Sequence, residues 1–228
     1  MTLTGARTPS GVLYSLQMAL NYLRLGRWMR EHGFEFTERL PRRGALYDFI
    51  AERIRDRKVL YLEFGVHRGW SMRYWSEALR HPEAMLHGFD SFVGLPEDFD
   101  APGGYPKGHF STGGAAPEIA DSRVRFHVGW FEETLPSYEL PEHEILVVNL
   151  DADLYSSTIY VLRHLRDEIH PGTLLFLDDM SRPDHEPKAF AEFMDESGLR
   201  FRPVAADRSL NHACFECVGE GQGESRGI

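Results

Sequence analysis

Apolar positions along the chain follow two different periods. Over residues 11–30, Leu13, Leu16, Leu20 and Leu23 recur at three- and four-residue spacing, with Tyr14, Met18, Tyr22 and Trp28 among them. That period predicts a helix. Arg24, Arg27 and Arg30 gather toward its end, where cations complement the helix dipole. A second helix is predicted over residues 44–57, with Leu46, Phe49, Ile50 and Ile54 as its apolar stripe. From residue 59 onward, short apolar runs alternate with helical stretches. Residues 59–64, 85–89, 124–128, 145–150 and 173–177 read as strands, and 71–79, 154–169 and 187–196 as helices. Apolar strands alternating with helices imply a parallel sheet covered on both faces.

The last two strands break the rhythm. Residues 201–205 and 213–218 are separated only by a polar turn around Asp207, Arg208, Ser209 and Asn211. A parallel return needs a crossover of about a dozen residues, so this pair is predicted to be an antiparallel hairpin. The expected fold is therefore α/β, with a seven-stranded, mostly parallel sheet, a C-terminal antiparallel hairpin and helices on both faces. This layout is similar to that of Rossmann-like class I methyltransferases and unlike that of nicotinamide dehydrogenases. Residues 1–58 form a helical lobe in this reading, 59–218 the sheet domain and 219–228 a disordered tail. Residues 97–122 hold many Gly and Pro, including Pro102, Gly103, Gly104, Pro106 and Gly108. A loop this long in a compact domain points to function or disorder.

Composition narrows the possible partners. The 228 residues suit one large domain. A net charge of −10 argues against nucleic acid, whose phosphates need a basic footprint. Charge is uneven, because residues 1–58 hold 11 Lys/Arg against 6 Asp/Glu. That lobe either faces an anionic partner or is a solvated helix face. No run of about 18 apolar residues predicts a membrane span. The start of the chain lacks the apolar stretch of a signal peptide, so the expected location is the cytoplasm. Cys214 and Cys217 form a C-x-x-C within a predicted strand, where residues three apart face opposite sides. They read as buried structural cysteines rather than as a redox pair or a zinc site.

Ligands of open α/β sheets bind at the carboxyl ends of the strands. There the chain carries Glu63-Phe64-Gly65-Val66-His67-Arg68-Gly69, with Ser71 just beyond. Glycine permits close backbone approach, but the spacing is not the one that seats a pyrophosphate. An acid such as Glu63 suits the sulfonium and amino groups of S-adenosylmethionine better than a dinucleotide. Asp90, followed by Ser91, ends the next strand and is placed to accept hydrogen bonds from ribose hydroxyls; it equally suits a turn or cap. Gly129-Trp130-Phe131 follows the third strand, and its flat aromatic surface suits an adenine or, alternatively, core packing. The cofactor candidates are thus Glu63, Phe64, Gly65, Gly69, Ser71, Asp90, Ser91, Gly129, Trp130, Phe131 and Asp151.

Asp151-Ala152-Asp153 closes the fourth strand and Asp178-Asp179 the fifth. Adjacent strands lie about 5 Å apart, so these carboxylates are expected to converge. Crowded carboxylates repel unless a cation or proton intervenes. All-oxygen ligation favours Mg²⁺, Mn²⁺ or Ca²⁺, which makes Asp151, Asp178 and Asp179 the candidate metal ligands. Asp153 reads as a helix N-cap. In an ideal strand Asp178 and Asp179 point to opposite faces. Such a metal lowers the pKa of a bound hydroxyl, and Asp151 is the candidate to accept its proton.

These residues together resemble the macrocin O-methyltransferase (TylF-type) family. The likeness covers residues 61–180. It rests on the 63–69 turn, the run Asp90-Ser91-Phe92-Val93-Gly94-Leu95-Pro96, the segment from Gly129-Trp130-Phe131 to Pro136, the segment from Asp151 to Thr158, and Asp178-Asp179. The resemblance implies S-adenosylmethionine as methyl donor and Mg²⁺ at Asp151, Asp178 and Asp179. It also implies Asp151 as general base, a small hydroxylated acceptor such as a natural-product sugar, and a homo-oligomer. Residues 1–58 match no part of the family pattern. His109 and His185 are further candidates to reach substrate. A metal-independent N- or carboxyl-methyltransferase and a non-catalytic S-adenosylmethionine-binding protein remain as alternatives.

Overall fold

The computed structural model describes residues 10–99 and 104–221. The polar start of the chain, Pro102 and Gly103 of the long loop, and the expected tail beyond residue 221 lie outside the described residues. The elements in chain order are α1 (Ser10–Glu31), β1 (Arg39–Leu40), α2 (Arg43–Ile54), β2 (Val59–Phe64), α3 (Trp70–Ala78), β3 (Met85–Asp90), β4 (Val124–Val128), α4 (Phe131–Thr134), β5 (Ile145–Leu150), α5 (Tyr155–His164), β6 (Leu174–Leu177), α6 (Glu186–Ser197), β7 (Leu199–Asp207) and β8 (Ala213–Glu220).

The strands form one eight-stranded sheet in the order β1-β7-β8-β6-β5-β2-β3-β4. The pairs among β4, β3, β2, β5 and β6 are parallel, whereas β8 runs antiparallel to both β6 and β7. The fold is therefore the Rossmann-like α/β class, with the expected terminal hairpin. The strand count is corrected from seven to eight. The extra strand, β1, has two residues, Arg39 and Leu40, paired parallel to Ala206 and Asp207 at the sheet edge. Two residues carry no readable period, so only the tertiary pairing defines them.

Every residue of β2 is buried, as are all four of β6, as expected for central parallel strands with both faces covered. One core packs Leu60, Leu62 and Phe64 of β2 against Leu25 of α1, Ile159 of α5 and Phe190 of α6. The other packs Val59 and Tyr61 against Leu46, Tyr47 and Ile50 of α2 and Trp75 of α3. Cys217 belongs to the first core and Cys214 to the second, both buried and free. This is the opposite-face, structural placement the strand period implies. The predicted helix over 154–169 is shorter, since α5 ends at His164 and a 3₁₀ turn, Arg166–Glu168, follows. Among the described residues no helix is long and apolar enough to cross a membrane.

The chain passes outward from β2 to β3 and β4 and then returns to β5 on the other side of β2. The cleft of such a sheet opens at this reversal. Register sets the level of everything in it. Phe64 pairs with Phe89 and with Leu150, and Leu150 pairs with Leu177. Gly65, Asp90, Asp151 and Asp178, one residue further on, therefore leave four neighbouring strands at a common height.

Candidate active site

A cavity of about 520 Å³ occupies this edge. Gly65, Asp90, Ser91, Gly129, Trp130 and Phe131 line one side, and Asp151, Asp153, Asp178 and Asp179 another. The long loop and Arg43 complete the wall.

On the first side, Gly65 has φ +95°, and a Cβ there collides with the backbone carbonyl of Asp151. Its N–H donates to Phe89 O at 3.0 Å, while Asp151 N–H donates to Phe64 O at 2.9 Å. Only glycine lets the three strand ends come this close. Asp90 accepts N–H bonds from Val66 at 2.9 Å and His67 at 2.8 Å on Oδ2, and from Phe92 at 2.7 Å on Oδ1. It thus ties the turn after β2 to the end of β3, the turn role weighed above, while still facing the cavity. Trp130 is half-buried on the wall. Phe131 packs edge-on against Phe64 with ring centroids 5.5 Å apart.

Four cofactor candidates, Glu63, Phe64, Gly69 and Ser71, are not among the lining residues. Glu63 points into the core on the α2/α3 side of the sheet, where Ser71 Oγ and Tyr61 OH donate to it, the latter at 2.8 Å. Burial pushes its carboxyl up to about 8, against the lowering effect of those two bonds. The Ser71 signal is therefore one of packing around a buried acid. Gly69, with φ +71°, is the N-cap of α3.

The second side is acidic. Asp178 and Asp179 do point apart. Asp178 Oδ1 accepts from Arg43 Nη1 at 2.6 Å and lies 3.4 Å from His212 Nε2. Asp179 Oδ1 instead accepts from Asn211 at 3.4 Å, and its backbone N–H donates to Glu186 Oε2 at 2.9 Å. Asp151 Oδ2 lies 3.5 Å from the same Arg43 nitrogen. Asp153 is not the N-cap of α5. That position is Leu154, and Asp153 sits at φ +60° beside Asp179. A non-glycine residue in this left-handed region is held there by its surroundings. Burial, then Asp178, holds the Asp151 carboxyl well above the usual range. Burial followed by Asp179 pushes Asp153 up to about 8. Asp179 and Glu186 are raised too, again chiefly by burial. Among the described residues no group of three or more His, Cys, Asp or Glu side chains is arranged to hold a metal ion.

The described part of the long loop borders the cavity. Gly108 N–H donates to Leu95 O and Leu95 N–H to His109 O, each at 2.9 Å. Ser156 of α5 pins it through Glu97 at 2.6 Å. Phe99, Tyr105 and Phe110 line the cavity. His109 and His185 do not. The first stacks on Tyr105 at 4.1 Å and the second stands edge-on to Phe99 at 4.4 Å, so both back the aromatic wall. Sequence reasoning did not name these aromatic residues, nor Arg43 and Arg182, which also line the cavity, nor the buried Glu186 beside Asp179. The one available signal was the aromatic residues inside a Gly/Pro-rich stretch.

Residues 115–207 match the macrocin-O-methyltransferase (TylF) family. The matched segment carries Trp130, Asp151, Asp178 and Asp179. The chain is 31% identical to mycinamicin III 3''-O-methyltransferase of Micromonospora griseorubida, over 56% of this chain and 47% of that protein. It is 33% identical to 8-demethyl-8-(2,3-dimethoxy-alpha-L-rhamnosyl)-tetracenomycin-C 4'-O-methyltransferase of Streptomyces olivaceus, over 52% and 51%. The match spans about half the length of each of these relatives. Among solved structures, the chain shares its fold with the calicheamicin methyltransferase CalS11. The TM-score is 0.56 and the identity 24%, over 77% of this chain and 80% of the other.

Proposed function

We propose that the chain is an S-adenosylmethionine-dependent O-methyltransferase acting on a hydroxyl of a small molecule, a sugar or another natural-product hydroxyl. One observation carries the reading. A single cavity joins a glycine-, aspartate- and tryptophan-lined half at the ends of β2, β3 and β4 to the Asp151 cluster at the ends of β5 and β6. The relatives' own names, which specify O-methylation and in one case a rhamnosyl-bearing molecule, point the same way.

The residues fit the cofactor. Trp130 offers a flat face for an adenine. Asp90 retains one of its about four lone-pair sites, on Oδ1, for a ribose hydroxyl beyond the three backbone bonds it accepts. Gly65 leaves the floor open for the aminoacyl tail. Phe99, Tyr105 and Phe110 wall the opposite side and exclude water from the acceptor. Asp151 then takes the hydroxyl proton as the acceptor oxygen bonds to the methyl carbon and the carbon–sulfur bond breaks. Holding donor and acceptor in line within one cavity supplies much of the rate.

The donor chemistry suits a hard divalent cation but the arrangement does not: among the described residues no three such side chains are placed to hold one, and Asp178 and Asp179 point apart. Asp151, Asp178 and Asp179 present only oxygen, and Asp153 and Glu186 crowd them further. A metal-independent transferase is the second reading. It is favoured by Arg43, which already places a cation between Asp151 and Asp178.

The test is transfer of a labelled methyl group from S-adenosylmethionine to a panel of glycosylated acceptors, with and without EDTA. Expected is label on a hydroxyl oxygen; loss of turnover in EDTA with recovery in Mg²⁺ makes the transfer metal-dependent. Turnover unaffected by EDTA selects the second reading. Label on nitrogen or on a carboxyl group that survives EDTA is the N- or carboxyl-methyltransferase form of that second reading, and no transfer at all contradicts both.

A further inference from the structure

The cavity wall opposite the cofactor half combines an aromatic surface with a corner made of hydrogen-bond acceptors. The loop that carries the surface is fixed from both arms. Phe99 N–H donates to Tyr105 O and Lys107 N–H to Asp98 Oδ1, each at 2.7 Å. Leu95, Phe99 and Leu154, with Phe110 against them, form a small apolar cluster that anchors the loop to the start of α5. His109 stacks on one face of Tyr105 at 4.1 Å, 8° from parallel. The rest of that ring lines the cavity, and Tyr105 remains 37% exposed. A ring held in this way offers a rigid apolar surface at little entropic cost.

Glu97 and Ser156 set the corner. Ser156 Oγ donates to Glu97 Oε1 at 2.6 Å, and both residues line the same cavity as Tyr105 and Asp151. With that bond made, neither side chain has a proton left to offer. A carboxylate only accepts, and a serine hydroxyl has a single proton. Both keep lone pairs for a ligand's donors. The ligand that suits this wall has an apolar face of ring size and three hydroxyls: one for Glu97, one for Ser156 and one to be methylated beside Asp151. A pyranose has all of these. A catechol is one hydroxyl short, and a simple alicyclic alcohol two. We propose that Tyr105, Glu97 and Ser156 form a pyranose subsite. The C–H face of the sugar lies on the Tyr105 ring, two hydroxyls donate to Glu97 and Ser156, and a third is left for Asp151. The inference rests on the O-methyltransferase reading and deepens it by naming the residues that select a polyhydroxylated ring.

The test is saturation-transfer difference NMR on the full chain in the presence of S-adenosylhomocysteine, whose own binding is followed by calorimetry on the same samples. The probe is methyl α-L-rhamnopyranoside, with catechol and methoxycyclohexane as ring-sized controls. Wild type is expected to transfer saturation to the ring C–H protons of the glycoside and far less to either control. Glu97→Gln is expected to bind the glycoside about tenfold more weakly, because a charge-assisted hydrogen bond is replaced by a neutral one. Tyr105→Phe, which keeps the ring, is expected to bind as wild type does, and Tyr105→Leu to lose the signal, with S-adenosylhomocysteine affinity unchanged in all three variants. Equal transfer to catechol or methoxycyclohexane overturns the subsite, as does wild-type glycoside affinity in Glu97→Gln or Tyr105→Leu. Wild-type chain that binds S-adenosylhomocysteine but no glycoside overturns the subsite and leaves the methyltransferase reading standing. Binding of neither overturns both.

Discussion

An Asp151→Asn chain is expected to bind S-adenosylhomocysteine as wild type does and to lose methyl transfer by about 10²–10⁴-fold, the usual contribution of a general base. The amide keeps the shape of the carboxyl but takes up no proton. The substitution does not strain the fold. Asp151 is crowded by Asp178, and burial disfavours its charge, so a neutral group there relieves repulsion and the melting temperature should not fall. That separation of folding from chemistry makes the variant informative. Single-turnover transfer from labelled S-adenosylmethionine measures it, alongside a thermal melt. An Asp151→Asn chain that turns over at the wild-type rate removes Asp151 from the chemistry and leaves it as one more crowded acid.

The second large effect is expected from Gly65→Ala. At φ +95° an alanine is strained wherever it sits, and here its Cβ also meets the Asp151 carbonyl. Strain in this backbone region and overpacking each cost about 1–3 kcal/mol. The ends of β2 and β5 can relieve the collision only by separating, which displaces Asp151 from the cavity. Denaturant unfolding should show a loss of about 2–5 kcal/mol, and cofactor binding should weaken with it. Gly44→Ala is the control. It lies in the first turn of α2, where a Cβ meets nothing closer than 3.8 Å, so alanine should be neutral or slightly stabilising. Wild-type stability in Gly65→Ala contradicts the close approach of these strands.

Much of the fold was legible because its signals were local and repeated. The runs 59–64, 145–150 and 173–177 are apolar throughout, as central strands must be, and the short polar turn near Asp207 leaves room for nothing but a hairpin. β1 was not legible, since a two-residue edge strand has no period and exists only through its pairing with β7. Asp90, Gly129, Trp130, Asp151, Asp178 and Asp179 were legible as cavity residues for a simple reason. Each follows or ends a strand whose limits are clear, and parallel register brings such ends together.

The misreadings have a common cause as well. A strand residue near the site was taken to face it, but Glu63 turns to the α2/α3 core and is satisfied by Ser71 and Tyr61. Asp153 carries a cap signature in sequence, yet the left-handed turn at that residue swings it toward Asp179 and hands the N-cap to Leu154. Arg43 could not be read at all. Its pairing with Asp151 and Asp178 is a long-range contact that no local pattern encodes.

The measurement that tests the central claim most directly is calorimetric titration of the wild-type chain with S-adenosylhomocysteine, repeated on Trp130→Ala. The account predicts one binding site per chain in wild type and clearly weaker binding once the Trp130 ring is removed. No binding by folded wild-type protein contradicts the assignment of this cavity to the cofactor, and with it the methyltransferase reading.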